Sequence, residues 1–180
     1  MYAGGKGGRQ YDPFVATDPV DQMLQQWAQV EPDLDVSPMA IIGRVSRLSR
    51  IIDRRLAENF AQHGIDDWMY DVLATLYRSG EPWELSPTEL VRQTMVTAGA
   101  MTNRIDRLVD RELVTRRHDT DDRRRVVVAL TDGGRALVQR VAPDHYRLEA
   151  ELLGTLSPSQ RARLEGILRT LLVGLDDVIL

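Results

Sequence analysis

Residues 96–131, VTAGAMTNRIDRLVDRELVTRRHDTDDRRRVVVALT, contain the change of periodicity that decides the fold. In the first part Ala98, Met101, Ile105 and Leu108 recur at three- and four-residue steps, the spacing of one face of an amphipathic helix. From Val114 the pattern shortens to two β-branched runs, Val114–His118 and Val126–Leu130, on either side of the polar segment Asp119–Arg125. Strand-forming runs around so charged a segment predict a β-hairpin with arginines at its tip.

Working outward, helix starts are announced by a capping side chain directly before a proline at Asp18-Pro19, Ser37-Pro38, Ser86-Pro87 and Ser157-Pro158. Ser86 and Ser157 also have Glu89 and Gln160 three residues on, the partners of a capping box. The second helix is expected from about Pro38 to His63, with Ile41, Val45, Leu48, Ile52, Leu56 and Phe60 on one face and Gly64 as its stop. A third follows Asp66, with Met69, Val72, Leu73 and Leu76 inward and Gly80 at its end. Beyond Thr131 the chain returns to helix, expected to kink at Pro143, where a backbone donor is missing, and a last helix starts at Pro158. Helices before and after a hairpin in this order give a mainly α fold with a small β-hairpin wing, a winged helix-turn-helix. Residues 1–17 are glycine-rich with little periodicity and are expected to form a disordered tail, and 18–180 a single domain.

The chain of 180 residues carries 23 Lys and Arg against 27 Asp and Glu, a formal charge of −4, so any surface for a polyanion is a local patch on an acidic whole. Lys6 is the single lysine, and the remaining basic residues are arginines, suited to bidentate phosphate contacts and narrow minor grooves. The sequence has no cysteine, which excludes disulfides, thiolate catalysis, thiol redox sensing and cysteine-ligated zinc. No apolar run approaches the roughly 20 residues of a membrane span, and the start has no secretory pattern, so a cytoplasmic protein is expected. His63, His118 and His145 are far apart and match no catalytic or metal-ligand spacing, so neither enzyme, metal nor cofactor is expected.

The outer face of the helix near 97–108 presents Thr97, Gly99, Ala100, Thr102, Asn103 and Arg107. Small residues in its first turn let the backbone approach a phosphate, which the free amides and dipole of a helix start attract. Asn103 and Arg107 are long enough to reach base edges or phosphates. The capped turn Ser86, Pro87 and Thr88 opens the short helix before it, and Arg123, Arg124 and Arg125 follow at the hairpin tip with Asp122 placed to orient one of them. Three DNA-facing elements thus occur in the order of a helix-turn-helix with a wing, and double-stranded DNA is the expected partner.

Asp122-Arg-Arg followed by Val128-Ala-Leu-Thr131 and Gly134 resembles the wing, and the entry to the next helix, of the MarR family of transcriptional regulators, and the resemblance extends over roughly residues 36–180. It implies that Arg124 is the wing arginine entering the minor groove, with Asp122 as its partner. It also implies a homodimer held by helices at about 18–63 and 140–180, with the winged helix-turn-helix at about 66–131. Two recognition helices would then meet major grooves about 34–36 Å apart on a pseudo-palindrome. Glu112 stands where the family usually has glycine, so this helix end either holds a non-glycine at positive φ or terminates differently.

Gln26-Trp27, Pro32–Asp35, Pro38–Ala40, Ile42–Arg44 and Ala98–Arg104 are similar to the urate-responsive branch of that family, which has an extra N-terminal helix. That likeness implies a pocket for urate or another small organic acid, with Trp27, Asp71, Arg104 and Arg116 at the matching positions. Two features agree with it. Asp71 interrupts the apolar stretch Trp68–Leu76, and Arg116 shares strand parity with Val114 and is expected to point inward. The same residues also fit a structural ion pair of Asp71 with Arg116 or Arg104, with Trp27 anchoring the extra helix. The function expected is a repressor released from DNA by a small anion; the alternatives are a ligand-insensitive architectural DNA binder and a small enzyme.

Overall fold

The computed structural model describes residues 17–94, 96–119 and 124–175. All of the expected tail except Thr17 therefore lies outside the described residues, as do Asp122 and Arg123 at the hairpin tip. The chain divides into two units at Ile51/Ile52.

The first unit holds helix α1 (Pro19–Val30) and the opening turns of α2 (Met39–Gln62). Asp18 caps α1 as the sequence predicts, its carboxylate accepting the Val20 and Asp21 amides, and Asp21 completes the box by accepting the Asp18 amide. Arg44 clamps both acids, donating to Asp18 at 2.7 Å and Asp21 at 2.6 Å, and closes the knot on the Ala40 carbonyl. Desolvation works against the Asp18 anion, but the Arg44 hydrogen bond and the capping amides outweigh it and hold its pKa below the ordinary carboxyl value. The start of α2 departs from expectation: the helix begins at Met39, and the Ser37 amide donates to the Asp35 carboxylate at 3.0 Å. The Asp35 side chain stabilises that turn locally, and the helix enters through backbone turns at 36–39.

The second unit begins within α2 and continues through α3 (Asp67–Arg78), β1 (Glu84–Leu85), α4 (Pro87–Gln93), α5 (Ala98–Asp110), β2 (Val114–His118), β3 (Val126–Leu130), α6 (Asp132–Leu152) and α7 (Pro158–Gly174). The hairpin appears in full register, Val114 opposite Leu130 through His118 opposite Val126. A two-residue strand that the sequence reading left out, β1, pairs with the other edge of β3, so the sheet order is β1-β3-β2. Two residues carry no readable strand period, and for this reason β1 is visible only through its partner. Pro143 lies inside α6 without ending that helix.

One core joins these elements. Met69, Val72, Leu73 and Leu76 of α3 meet Leu90 of α4, Met101, Ile105 and Leu108 of α5, Val114 and Val128 of the sheet, and Val138 and Val141 of α6, all essentially inaccessible to water. Burying large apolar side chains in this way contributes about 1.5–3 kcal/mol apiece relative to exposure. Ala98 does not belong to this set and is exposed, because the first turn of α5 stands clear of the core and the buried stripe starts at Met101.

Gly80, the expected end of α3, sits at φ 79°, and the stops at Gly64 and Glu112 are Schellman turns. Gly64 at φ 70° follows α2, with Ile65 N–H donating to the Phe60 carbonyl and Gly64 N–H to Ala61. Glu112 at φ 57° ends α5 with the same bonds, Leu113 N–H to Leu108 and Glu112 N–H to Val109. Here a non-glycine does occupy the left-handed region, at a cost of roughly 1–2 kcal/mol.

That costly turn feeds a tight junction. Thr131 caps α6 by accepting the Gly134 amide at 2.9 Å, and its hydroxyl faces the Glu112 and Leu113 carbonyls. A Cβ on Gly134 would lie 2.1 Å from the Leu113 carbonyl oxygen, a backbone atom that cannot swing away. Gly134→Ala is expected to destabilise the protein by about 1–3 kcal/mol or more. Urea denaturation checks this, and an unchanged midpoint would show slack at the junction.

Candidate nucleic-acid interface and effector site

Helix α4 is positioned by a complete capping box: Ser86 Oγ accepts the Glu89 amide at 3.3 Å, and Glu89 accepts the Ser86 amide at 2.7 Å and the Ser86 hydroxyl at 2.6 Å. The same carboxylate accepts from Arg125 at 3.3 Å, so the tip side of the wing is tied to the start of α4. The Ser86 bonds first, and then the Arg125 charge, hold the Glu89 pKa below its ordinary value against desolvation. A cleft lined by Ser86, Pro87, Thr88, Arg92, Arg124 and Arg125 opens at this join. Arg124 and Arg125 are both exposed.

Helix α5 starts at Thr97, whose hydroxyl accepts the Ala100 amide. Its buried stripe turns Thr102, Asn103 and Arg107 outward together with Gly99 and Ala100, as the sequence pattern requires. A Cβ at Gly99 would meet nothing within 4 Å, so the first turn offers open backbone. In this unit the exposed α5 face, the capped start of α4 and the two described wing arginines are the sequence-predicted DNA-facing set.

The four residues matched to an effector pocket fall out differently. Asp71 on α3 and Arg104 on α5 do come together, Oδ2 to Nη1 at 4.0 Å, with side chains 47% and 26% exposed. Arg116 is a correction. Strand parity places it opposite the buried Val128, but its side chain is 44% exposed and its guanidinium donates to Asp106 of α5 at 3.0 Å. β2 is an edge strand whose only buried residue is Val114, so parity fixed the face while the long side chain escaped to the rim. Trp27 belongs to the first unit, on α1, and is 41% exposed.

Sequence reasoning missed Trp68 of α3, whose indole carries the Arg107 guanidinium 4.6 Å and the Arg104 guanidinium 5.8 Å from its centroid. Nothing local to either helix signals this contact, which exists only once α3 packs on α5.

Similarity to known proteins can be set beside this geometry. A model of the MarR family matches residues 63–125. The HTH-type transcriptional regulator PecS of Dickeya dadantii (strain 3937) is 38% identical over 149 residues, which cover 83% of this chain and 90% of PecS. The chain belongs to the MarR family. MarR-family proteins are transcriptional regulators that bind DNA, and the chain is one of these and not an enzyme. Among solved structures, a mutant MarR from E. coli complexed with operator DNA aligns with TM-score 0.67 and 28% identity, over 81% of this chain and 97% of that one. Bordetella bronchiseptica BpsR, in a structure addressing regulation of its DNA binding by 6-hydroxynicotinic acid, aligns with TM-score 0.66 and 26% identity over 73% of this chain and 91% of that one. The winged-helix architecture expected for a MarR-family chain is thus present. Among the described residues, no helix is long and apolar enough to cross a membrane.

Burial favours the neutral form of Asp71 and raises its pKa above the ordinary 3.8, although Arg104 and Arg78 pull the other way. Its proton is therefore held more tightly in the folded chain than in the unfolded one. The resulting stability is full below the ordinary carboxyl pKa and is lost as pH rises through the raised value. Asp71→Asn, neutral at every pH, is expected to raise the thermal midpoint at neutral pH, with a gain that shrinks as the solution is acidified towards the ordinary carboxyl range. A lower midpoint for the variant at neutral pH would mean that the attraction to Arg104 outweighs desolvation.

Proposed function

We propose that this MarR-family chain is a cytoplasmic homodimeric repressor that leaves a pseudo-palindromic operator when a small anionic ligand, urate or a similar organic acid, engages Asp71 and Arg104. The observation that carries the reading is the incomplete pair between Asp71 of α3 and Arg104 of α5. Pairs such as Arg44–Asp21 close to 2.6 Å, whereas this one stands at 4.0 Å, as the exposed Arg55–Glu58 pair does, but here around a carboxyl that burial penalises. A partly desolvated acid and an arginine held apart leave hydrogen-bonding capacity for a third group, and a planar heterocyclic acid offers N–H donors to the one and an anionic edge to the other. Arg116, whose guanidinium rests on Asp106, is the further candidate ligand contact in this reading.

Arg104 is a neighbour of Asn103 and lies one helical turn from Arg107, so a ligand that draws on Arg104 acts on the element that reads DNA. On the DNA side, Thr97, Gly99, Ala100 and Thr102 receive phosphates, Asn103 and Arg107 reach the major groove, and Ser86, Pro87 and Thr88 flank the backbone. Arg124 and Arg125, with Asp122 and Arg123, serve the minor groove. That a MarR has been seen with operator DNA, and that BpsR answers to a small aromatic acid, supports both halves of the proposal.

Dimerisation is supported by apolar faces left open in each unit. Helix α7 has no buried residue and exposes Leu164, Ile167, Leu168, Leu171 and Leu172, and the first turns of α2 expose Ile41, Ile42, Val45, Leu48 and Ile51. Contiguous apolar surface of this kind marks an interaction site on a water-soluble protein. The dimerisation helices are assigned at about 18–63 and 140–180, and the winged helix-turn-helix at about 66–131.

The test is a gel-shift titration on the protein's own upstream intergenic DNA, in moderate salt with competitor, with and without urate. The parent is expected to form a specific complex that urate dissolves, and Asp71→Ala to bind DNA but ignore urate. Full urate release in both Asp71→Ala and Arg116→Ala would remove the pocket assignment. The absence of any specific complex, there or on genomic fragments, would remove the operator claim.

A further inference from the structure

We propose that Trp68 is a positioning residue for DNA reading, its indole serving as a locked platform that holds Arg107 of the recognition helix; the inference rests on the reading of Arg107 as a DNA contact. The lock is unusual for its place in the chain. Asp66 is the N-cap of α3, yet its side chain makes no capping bond, whereas Asp18, Ser86, Thr97, Thr131 and Ser157 all accept backbone amides at the starts of their helices. The Asp66 carboxylate accepts the Trp68 Nε1–H at 3.0 Å instead. The next residue, Asp67, takes the Trp68 backbone amide at 2.7 Å.

With its N–H held and its body packed against the core, the indole has a fixed orientation. The Arg107 guanidinium stands 4.6 Å from the ring centroid, well inside the ~6 Å reach of a cation–π contact, and Arg104 is at 5.8 Å, near that limit. A free arginine on a helix surface samples many rotamers, and ordering it on DNA costs conformational entropy. Against the platform, part of that ordering is complete before DNA arrives, the general route by which preorganisation improves affinity. Arg104 stands 5.8 Å from the same centroid and 4.0 Å from Asp71, so the same ring also borders the acid–arginine pair.

A double-mutant cycle on the full chain tests the proposal, with affinity for labelled upstream intergenic DNA as the readout and circular dichroism confirming the fold. Trp68→Leu is expected to weaken binding about two- to five-fold, the range of an exposed cation–π contact. It is expected to cost nothing further when Arg107 is already alanine. Trp68→Phe keeps an aromatic face and is expected to bind more tightly than Trp68→Leu. Equal losses from Trp68→Leu in the parent and in Arg107→Ala would overturn the platform and leave Arg107 as a DNA contact. If Arg107→Ala binds as the parent does, Arg107 is no DNA contact and the platform falls with that reading. Phe and Leu variants that bind equally weakly would also overturn it.

Discussion

The arrangement depends on the burial of Met101, Ile105 and Leu108 along one side of α5. Three side chains at steps of four and three, each inaccessible to water, fix the rotation of that helix about its own axis. Once the rotation is fixed, the outward positions of Thr102, Asn103 and Arg107 follow without any further interaction. Arg104 follows too: lying between the buried and exposed faces, it is the position from which an arginine reaches sideways to Asp71 and Trp68. A helix rotated by one residue would exchange these roles, so the packing of the core and the chemistry of the surface are one constraint.

Around that helix, short polar ties set the surface elements where burial cannot. The wing has little core of its own on the β2 side, where Val114 alone is buried. Its place is set instead by Arg116 on Asp106, Arg117 on Glu84 at 2.5 Å, and Arg125 on Glu89. All three arginines are at least two-fifths exposed, so each pair contributes little to stability, in the range of 0–1 kcal/mol for surface ion pairs. Such contacts can hold a direction and still give way to a phosphate, which is the balance a DNA-facing arm requires. In a chain of net charge −4, pairing arginines with local acids also hides positive charge until a stronger polyanion competes for it.

How much of this was legible in the sequence follows from the range of each interaction. The capping boxes at Ser86 and Ser157 and the glycine stop at Gly64 were readable because their partners lie within a few residues of one another, and the hairpin because its two β-branched runs flank one short polar segment. The glycine substitution at 112 was readable as a dilemma, and the structure resolves it in favour of a strained turn. By contrast, the fate of Arg116 depended on Asp106 lying beside an edge strand, and the Trp68 platform on α3 crossing α5, both decided by tertiary packing. Ala98 fits the helical period and is nevertheless exposed, because periodicity gives a face but not where along the helix the core begins. Of the candidate effector residues, Asp71 and Arg104 were brought together as the apolar interruption and family likeness suggested, while Arg116 took another acid.

Two of the strained or desolvated positions in this unit lie close to the residues assigned to signalling, while a third, Trp83 at φ 57°, stands before β1. Glu112 holds a left-handed turn immediately after the recognition helix, and Asp71 holds a carboxyl in a setting that disfavours its charge immediately beside it. A protein optimised for stability alone would place glycine at the first and a neutral residue at the second. The Glu112 turn is offset by backbone bonds and by the Thr131 hydroxyl on its carbonyl, but its side chain gains no ion pair among the described residues, and Asp71 meets Arg104 only at 4.0 Å. Local costs beside a helix narrow the gap to its alternative positions, so that a modest difference in ligand affinity is enough to shift it. A group that completed the Asp71–Arg104 pair would favour whichever position of α5 best closes the 4.0 Å gap, and only by as much as its affinity differs between the two positions.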